Sequence, residues 1–218
     1  MGGRNIIMES YSQCGQDLFV INLIEKDNGT FLDLGCYLPK KINNTYLLET
    51  KGWSGLSIDI IDYTNEWGCR TNPFLHADCF TLDYNQLLPK YYNSNTIDYL
   101  SLDMEKVGER YKLLEKILNV GYDFKIITIE HDSYLGHEYV LNEKIPQRQI
   151  LEKHGYVLLC ADVSQQKHPD LFYEDWWVNK KHFDEISINS WFSDKMSCDK
   201  IFNKNGINYT ISQESSNW

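Results

Sequence analysis

The sequence predicts an α/β fold built on a mainly parallel sheet. Short apolar runs of strand length alternate with segments of helical periodicity, which is the pattern that βαβ units produce. The last two apolar runs are separated only by the polar stretch DVSQQKHPD, which is too short for a crossover helix. We therefore expect five strands linked by helices, followed by an antiparallel pair.

Seven apolar runs are predicted to be the strands of this sheet. Each is rich in β-branched, aromatic or leucine side chains and is bounded by polar or glycine-containing turns. The runs are of the length expected for buried strands in a sheet that is covered on both faces. They cover residues 31–34, 56–60, 74–76, 97–102, 126–129, 156–160 and 171–178.

Three longer segments have helical periodicity and conventional helix ends. Gly121 follows the second segment, where glycine can adopt the left-handed conformation of a helix cap. Pro146 lies near the first turn of the third segment, a position that tolerates the missing N–H. The predicted helices cover residues 16–24, 109–118 and 144–154.

The length of the chain predicts one domain. Its 218 residues are 42% hydrophobic, enough for a single sizeable core. We expect one domain over residues 1–218, with a core of about residues 11–180 and a polar tail over 181–218. In the tail, we expect one short helix and then fraying. The apolar anchors available there are Trp191, Phe192, Ile201 and Phe202.

Composition also limits which binding partners and which cellular compartment are expected for this protein. The formal net charge is −10, and the sequence has no basic patch for a phosphate backbone, which argues against a nucleic-acid partner. No apolar run reaches the length of a membrane span, and no secretory signal is visible, so a cytoplasmic protein without membrane contact is expected. The six cysteines lack C-x-x-C spacing, which predicts reduced and mostly buried thiols. The sequence does not determine the oligomeric state.

Acidic residues follow five successive predicted strands. In an open parallel sheet, ligands bind beyond the carboxyl ends of the strands, so these side chains are placed to contact one. The alternative for each residue alone is a structural one, because acidic residues also cap the following helix. The five residues are Asp33, Asp59, Asp78, Asp103 and Glu130.

The first strand end indicates a nucleoside ligand without phosphates. The sequence Asp33-Leu34-Gly35 lacks the G-x-G-x-x-G spacing that brings a pyrophosphate to a helix N-terminus. A glycine after an acidic strand end instead lets a nucleoside lie against the turn. Asp59 ends the next strand, where acidic residues accept hydrogen bonds from ribose hydroxyls.

Several motifs together resemble those of one family. In order along the chain they are YSQCGQDLFVINLI, GTFLDLGC, NNTYLLETKGWSGLSIDI, TIDYLSLDMEK, IITIEHD, Arg148 and LFYEDWWV. Over about residues 11–178, their order and spacing resemble the FkbM-type S-adenosylmethionine-dependent methyltransferases.

The resemblance implies a class I methyltransferase, Rossmann-like fold, with seven strands, the last antiparallel, and helices on both faces. It further implies methyl transfer to an oxygen atom, often a sugar hydroxyl of a glycan or nucleotide sugar. By position, Asp59 would bind the ribose of the cofactor and Asp78 would face its adenine. The full set of cofactor residues implied in this way is Gln13, Gln16, Asp33, Gly35, Cys36, Asn44, Thr45, Asp59, Asp78 and Asp103.

Two positions depart from the pattern of that family. Pro39 stands where the cofactor loop usually has a glycine, and Glu105-Lys106 replaces the usual Glu-Gly pair. Pro39 favours an alternative function, that of a degenerate cofactor-binding domain without turnover, whereas the retained Asp33, Asp59, Asp103 and Glu130 oppose it. A nucleic-acid methyltransferase would share the sheet, but the acidic balance of the chain argues against it.

A sugar hydroxyl needs a base to take its proton during methyl transfer. His131, at the fifth strand end, is the first candidate, and Asp103 and Glu105 are the other predicted catalytic residues. A metal ion is the alternative, since Asp103, Glu130 and His131 occupy the ligand positions of metal-dependent class I O-methyltransferases. Magnesium or manganese would fit such ligands.

Four residues are predicted to contact the acceptor. Trp176 and Trp177 point to opposite faces of a strand, so at least one belongs to the core, while the other is free to stack on a sugar ring. The charged candidates are equally compatible with a charge network that holds loops together. The predicted acceptor residues are Glu130, Arg148, Asp175 and Trp176.

Overall fold

The computed structural model describes residues 7–104, 108–212 and 215. Strands β1 to β10 are Met8–Ser10, Thr30–Leu34, Ser54–Asp59, Phe74–His76, Thr96–Leu102, Asp123–Glu130, Tyr156–Gln165, His168–Asn179, Ser193–Ser197 and Tyr209–Ile211. Helices α1 to α8 are Gln16–Leu23, Tyr46–Thr50, Tyr84–Leu87, Arg110–Leu118, His137–Tyr139, Ile145–Lys153, Glu185–Asn189 and Cys198–Lys204. Helical turns of other types cover Glu66–Cys69, Leu88–Lys90, Ser133–Leu135 and Val140–Lys144.

The main sheet has eight strands in the order β4-β3-β2-β5-β6-β8-β7-β9. Strand β8 is antiparallel to both of its neighbours, and the other pairs are parallel. The predicted α/β fold with a mainly parallel sheet is therefore confirmed. The hairpin between β7 and β8 is tighter than expected, because the polar stretch DVSQQKHPD contributes to both strands.

The tail is more ordered than the sequence predicted. Strand β9 adds an eighth strand to the sheet by pairing parallel to β7, and β10 pairs parallel to β1 near the other end of the chain. Trp191, Ile201 and Phe202 are buried as expected, whereas Phe192 is exposed. The expectation of one short helix followed by fraying was wrong, because β9, although polar and exposed at Asp194 and Lys195, forms through backbone pairing at the edge of the sheet.

Two cores lie on the two faces of the sheet. Residues of α1, α2 and α8 contribute to one core, and residues of α3, α4 and α6 contribute to the other. Trp176 belongs to the first core and Trp177 to the second, and both side chains are fully buried. Trp176 packs on Phe19, with ring centroids 4.6 Å apart. The prediction that Trp176 stacks on a sugar was therefore wrong, since neither tryptophan presents a face to a ligand.

The three predicted helices are confirmed within a residue or so at each end. Pro146 lies in the first turn of α6, where its missing N–H needs no partner. Gly121 has a φ of +89° and follows α4, as a left-handed turn residue should. All six cysteines are free, and all except Cys69 are buried. Within the described residues, no helix is long and apolar enough to cross a bilayer.

Candidate functional site

The five predicted acidic residues lie along one edge of the sheet. Because β2 to β6 run parallel, their carboxyl ends meet at this edge. The strand order reverses between β2 and β5, and such a reversal opens a crevice that ligands occupy in open α/β sheets. Asp59 and Glu130 end their strands, Asp33 is one residue from the end of β2, and Asp78 and Asp103 follow theirs closely.

Asp59 holds together the two turns on one side of this crevice. Its Oδ2 accepts the backbone N–H of Tyr37 at 2.9 Å, and its Oδ1 accepts that of Ile61 at 2.9 Å. The side chain is nearly buried, with 8% exposed. A carboxylate oxygen can accept more than one hydrogen bond, so both oxygens keep capacity for ligand hydroxyls.

Gly35 is required by the backbone of the neighbouring strand. Its φ is +78°, and a Cβ at this position would lie 1.7 Å from the carbonyl oxygen of Asp103. The Asp103 N–H in turn donates to the Leu34 carbonyl at 3.0 Å. The glycine thus lets the turns after β2 and β5 touch at the point where the sheet reverses. This contact, rather than approach of a nucleoside to the glycine, is what the structure shows at Gly35.

The loop between β2 and α2 is organised by Arg70, which the sequence analysis did not identify. Its guanidinium donates to the Pro39 carbonyl at 2.8 Å, to Asn43 Oδ1 at 3.1 Å and to Thr45 Oγ1 at 3.2 Å. It also pairs with Glu49, and its own side chain is fully buried. The loop therefore keeps a defined path although Pro39 replaces a glycine.

The side chains beneath this loop form a buried hydrogen-bonded layer. Thr45 Oγ1 donates to Asp33 Oδ2 at 2.8 Å, and Asn44 Nδ2 donates to Ser101 Oγ at 3.0 Å. Asp33, Cys36 and Thr45 are almost completely buried, so they support the loop from below. Burial raises the pKa of Asp33 to about 6, although Thr45 and Arg70 oppose that shift. Asn44 Oδ1 is buried and has no hydrogen-bond partner among the residues that the structure describes.

A second group, the Arg110 cluster, consists of Arg110, Asp103, Glu130 and Asp132. The guanidinium lies 3.2 Å from Glu130 Oε2 and donates to Asp132 Oδ2 at 2.8 Å, and its Nε donates to the Met104 carbonyl. Arg110 is 1% exposed, so its charge depends on these carboxylates. The cluster places one buried cation among three acids at the ends of β5 and β6.

Burial and mutual repulsion raise the pKa values of Glu130 and Asp103 in the Arg110 cluster. Burial, reinforced by the charge of Asp103, raises the pKa of Glu130 well above its ordinary value. Burial likewise raises the pKa of Asp103, against hydrogen bonding to Glu130 and the charge of Arg110. The two carboxyls therefore hold a proton more readily than ordinary acids do. Glu105, predicted as catalytic, lies outside the described residues.

The two glutamines of the N-terminal motif contact different parts of the structure. Gln16 is buried, and its Nε2 donates to both carboxylate oxygens of Glu174, at 2.9 and 3.1 Å. Glu174 faces Glu130 across the β6–β8 pair, and burial raises its pKa to about 8. Gln13 lines a cavity together with Tyr209 of the tail. Glu174 therefore links Gln16 to Glu130 at the end of β6.

A third group, the His131 cluster, consists of His131, Lys144, Arg148, Asp162 and Asp175. Arg148 makes a two-pronged contact with Asp175, at 2.7 and 2.8 Å, and lies 3.3 Å from Asp162. Lys144 pairs with the same Asp162. His131 Nε2 lies 3.4 Å from Asp162 Oδ1 and 3.5 Å from Asp175 Oδ1. Arg148, Asp175 and His131 were predicted as site residues, whereas Lys144 and Asp162 were not.

His131 is enclosed by protein. Its side chain has no exposed surface, and its Nδ1 accepts the Ser133 N–H at 3.2 Å while Nε2 faces the two aspartates. Burial lowers its pKa, but Asp162 and Asp175 outweigh burial and raise it. The predicted role of His131 as the base that touches the acceptor does not fit this geometry, because both ring nitrogens are directed to protein groups.

The predicted metal ligands do not come together. Within the described residues, the one group whose ligand atoms lie within 4.8 Å of one another is His131, Asp162 and Asp175. Asp103 and Glu130 surround Arg110 instead. The carboxylates of the His131 cluster already bind the cations Lys144 and Arg148, so a further divalent ion would meet two positive charges. The cluster fits a charge network better than a site for Mg²⁺ or Mn²⁺.

Comparison with known proteins gives information at the level of the fold. No family model and no curated protein matches this sequence. The solved structures that match include the bifunctional kinase-methyltransferase WbdD, with a TM-score of 0.50 and 12% identity over 79% of this chain and 39% of that one. They also include the methyltransferase domain of METTL16, with a TM-score of 0.48 and 12% identity over 77% of this chain and 66% of that one.

The comparison shows that the chain has the class I, Rossmann-like methyltransferase fold. The predicted fold class is confirmed, with eight strands in the main sheet instead of seven. The match spans about two fifths of the length of WbdD.

Proposed function

We propose that this protein is an S-adenosylmethionine-dependent O-methyltransferase of the FkbM type that acts on a sugar hydroxyl. The observation that carries the proposal is the crevice between β2 and β5, bordered by Asp59 and Asp103, in a sheet with class I methyltransferase topology. The motif resemblance supports oxygen as the methylated atom and a glycan or nucleotide sugar as the acceptor.

The residues at the crevice suit a nucleoside cofactor that carries an ammonium group. Asp59 would accept the ribose hydroxyls while it continues to hold the two turns. The buried Asn44 Oδ1 lacks a partner, and Asp103 is only half-buried, so both can accept from a cationic amino-acid end. When bound, S-adenosylmethionine supplies the electrophilic methyl group. The chain itself supplies alignment and exclusion of water, which in-line transfer chiefly requires.

We assign Glu130 as the base that takes the proton from the acceptor hydroxyl. It ends β6 beside Asp103, and 17% of its side chain is exposed, unlike that of His131. Its raised pKa makes its carboxylate a stronger base than an ordinary glutamate. Arg110, 3.2 Å away, keeps a fraction of Glu130 ionised and ready to accept. His131, Arg148 and Asp175 then act as a support that fixes the end of β6.

A transfer assay tests this proposal. Methyl-labelled S-adenosylmethionine would be incubated with UDP-, GDP- and dTDP-linked hexoses and with neutral and acidic oligosaccharides. The wild-type protein should label at least one sugar, and Glu130→Gln should lower kcat by about 100-fold or more, since it cannot accept the proton. Glu138→Gln, at an exposed site a few residues away, is the matched control and should retain full activity.

Two outcomes would contradict the proposal. Equal transfer by Glu130→Gln and wild type would exclude Glu130 as the proton acceptor. Binding of S-adenosylmethionine by the wild type without transfer to any sugar would instead identify a cofactor-binding domain without this activity. The same assay with and without EDTA tests whether methyl transfer needs a divalent metal ion. We expect no effect of EDTA, because Lys144 and Arg148 already neutralise the aspartates of the His131 cluster.

A further inference from the structure

Two buried cysteines from opposite ends of the chain lie next to each other. Cys14 precedes α1 and is fully buried, and Cys198 begins α8 and is 2% exposed. The Cys14 thiol donates to the Ser164 carbonyl at 3.3 Å. Ser164 pairs in register with Ser197, the residue before Cys198. The β7–β9 pairing therefore brings Cys14 close to Cys198, and each thiol shifts the pKa of the other.

The two thiols differ in accessibility. Cys198 lines a cavity of about 680 Å³ at the carboxyl edge of β7, which is also lined by Gln13, Lys167 and Tyr209. Cys14 is not part of the lining and is fully buried. A small polar molecule in the cavity can therefore reach Cys198 first, with Cys14 positioned as the second thiol.

The thiols also differ in acidity. The hydrogen bond from Cys14 and the Tyr209 hydroxyl, 3.6 Å from the Cys198 sulfur, outweigh burial and lower the pKa of Cys198. Burial raises the pKa of Cys14 well above its ordinary value. The thiolate is the form of cysteine that reacts with peroxides, so the difference in acidity assigns the first step to Cys198.

We propose that Cys14 and Cys198 form a reversible disulfide when the protein meets hydrogen peroxide. The Cys198 thiolate attacks the peroxide oxygen; an S–O bond forms, the O–O bond breaks, and the departing hydroxide takes a proton to leave as water. The Cys14 thiol then attacks the sulfenic sulfur, an S–S bond forms, and the S–O bond breaks with release of a second water. Two thiols are oxidised to one disulfide and the hydrogen peroxide is reduced, which balances the reaction.

The disulfide would connect the N-terminal segment of the chain to its C-terminal part beside the β7–β9 edge of the sheet. Cys14 lies two residues before Gln16, which holds Glu174 opposite Glu130. Cys198 begins α8, which lies between the β9 edge strand and β10. Oxidation would therefore fix the N-terminal segment that carries Gln13 and Gln16 to the C-terminal part of the chain. This inference does not depend on which reaction the site performs.

Mass spectrometry after oxidation tests the disulfide directly. The native full-length protein would be treated with hydrogen peroxide, alkylated and digested without reduction. We expect one linked peptide pair that contains Cys14 and Cys198, which dithiothreitol removes. Cys69→Ser is the matched control, since Cys69 is the exposed cysteine, and it should keep the linkage. In Cys14→Ser, Cys198 should stop at the sulfenic acid and react with dimedone.

Two results would overturn the inference. One is that Cys14 and Cys198 both remain alkylatable under conditions that oxidise Cys69 completely. The other is that Cys198 pairs with a different cysteine, which would show that the contact with Cys14 does not direct the reaction. Because the first measurement uses the wild-type protein, it stands even where a serine variant folds poorly. A rise in Tm on oxidation, reversed by dithiothreitol, provides a second readout of the link between the chain ends.

Discussion

Gly35 and the Asp103 carbonyl group are in contact at the point where the strand order of the sheet reverses. A Cβ at residue 35 would lie 1.7 Å from the Asp103 carbonyl oxygen, and the φ of Gly35 is +78°. The contact joins the turn after β2 to the turn after β5, and both turns border the crevice that we assign to the cofactor. The geometry of the crevice therefore depends on the absence of a side chain at residue 35.

Gly35→Ala should be much more destabilising than a glycine substitution that adds only backbone strain. Gly121 is the matched control, because its φ is +89° and a Cβ there would meet nothing within 4 Å. Gly121→Ala should lower the free energy of unfolding by about 1–2 kcal/mol. Gly35→Ala should lower it by several kcal/mol more, because the backbone at Asp103 must move to make room for the Cβ. Urea unfolding measures both, and equal losses would contradict the role assigned to the contact.

Arg70→Met should destabilise the fold by about 3–5 kcal/mol, because it leaves Glu49 as a nearly buried, unpaired carboxylate. It also removes the hydrogen bonds to Pro39 and Thr45. Lys112→Met, which removes an exposed ion pair of 3.9 Å with Glu109, is the control and should cost no more than about 0.5 kcal/mol. Similar losses in thermal or urea unfolding would show that Arg70 does not hold the loop.

Glu174 should make the stability of the protein fall as the pH rises. Burial raises its pKa to about 8, so between its ordinary pKa, near 4.5, and pH 8 the folded state binds a proton that the unfolded state has lost. Over this range the unfolding free energy should decrease by up to about 1.4 kcal/mol per pH unit from this group. Glu174→Gln should flatten the dependence in urea unfolding between pH 5 and 9. An unchanged slope would contradict the assignment.

Asp175→Asn should lower the pKa of His131. Burial by itself lowers that pKa, and the charges of Asp162 and Asp175 raise it. When the charge of Asp175 is lost, the lowering effect of burial is balanced by Asp162 alone. An NMR titration of the imidazole checks the direction, which should be downward from the raised wild-type value. Asp170→Asn, at an exposed position of the same strand, should leave the His131 pKa unchanged. A rise or no change in Asp175→Asn would exclude the charge network.

Much of the fold could be predicted from local sequence patterns. The seven predicted strands and their acidic ends follow from apolar runs of strand length, and α1, α4 and α6 follow from periodicity with glycine or proline at the ends. Strand β9 could not be found in this way, because its residues, SDKMS, are polar and it forms through backbone pairing with β7. The β1–β10 pair joins short segments from distant parts of the chain and leaves no local signal either.

The site was predicted less completely than the fold. Arg70 lies in an irregular segment, and only the tertiary structure brings it under the loop after β2. Asp162 belongs to the stretch that was interpreted as a hairpin loop, yet it sits at an irregularity of β7 with a φ of +54°. Glu174 did have a signal, because it and Asp175 form a charged pair within an otherwise aromatic strand. Buried charges of that kind require partners, which here are Gln16 and Arg148.

The most direct test of the proposed function is isothermal titration with S-adenosylmethionine. We expect micromolar binding by the wild-type protein and at least about tenfold weaker binding by Asp59→Asn, which loses the charge that we propose to bind the ribose hydroxyls. Asp62→Asn, at an exposed carboxylate three residues along the chain, is the matched control and should bind like the wild type. Absence of binding by the folded wild-type protein would contradict the assignment of the crevice between β2 and β5 as a cofactor site.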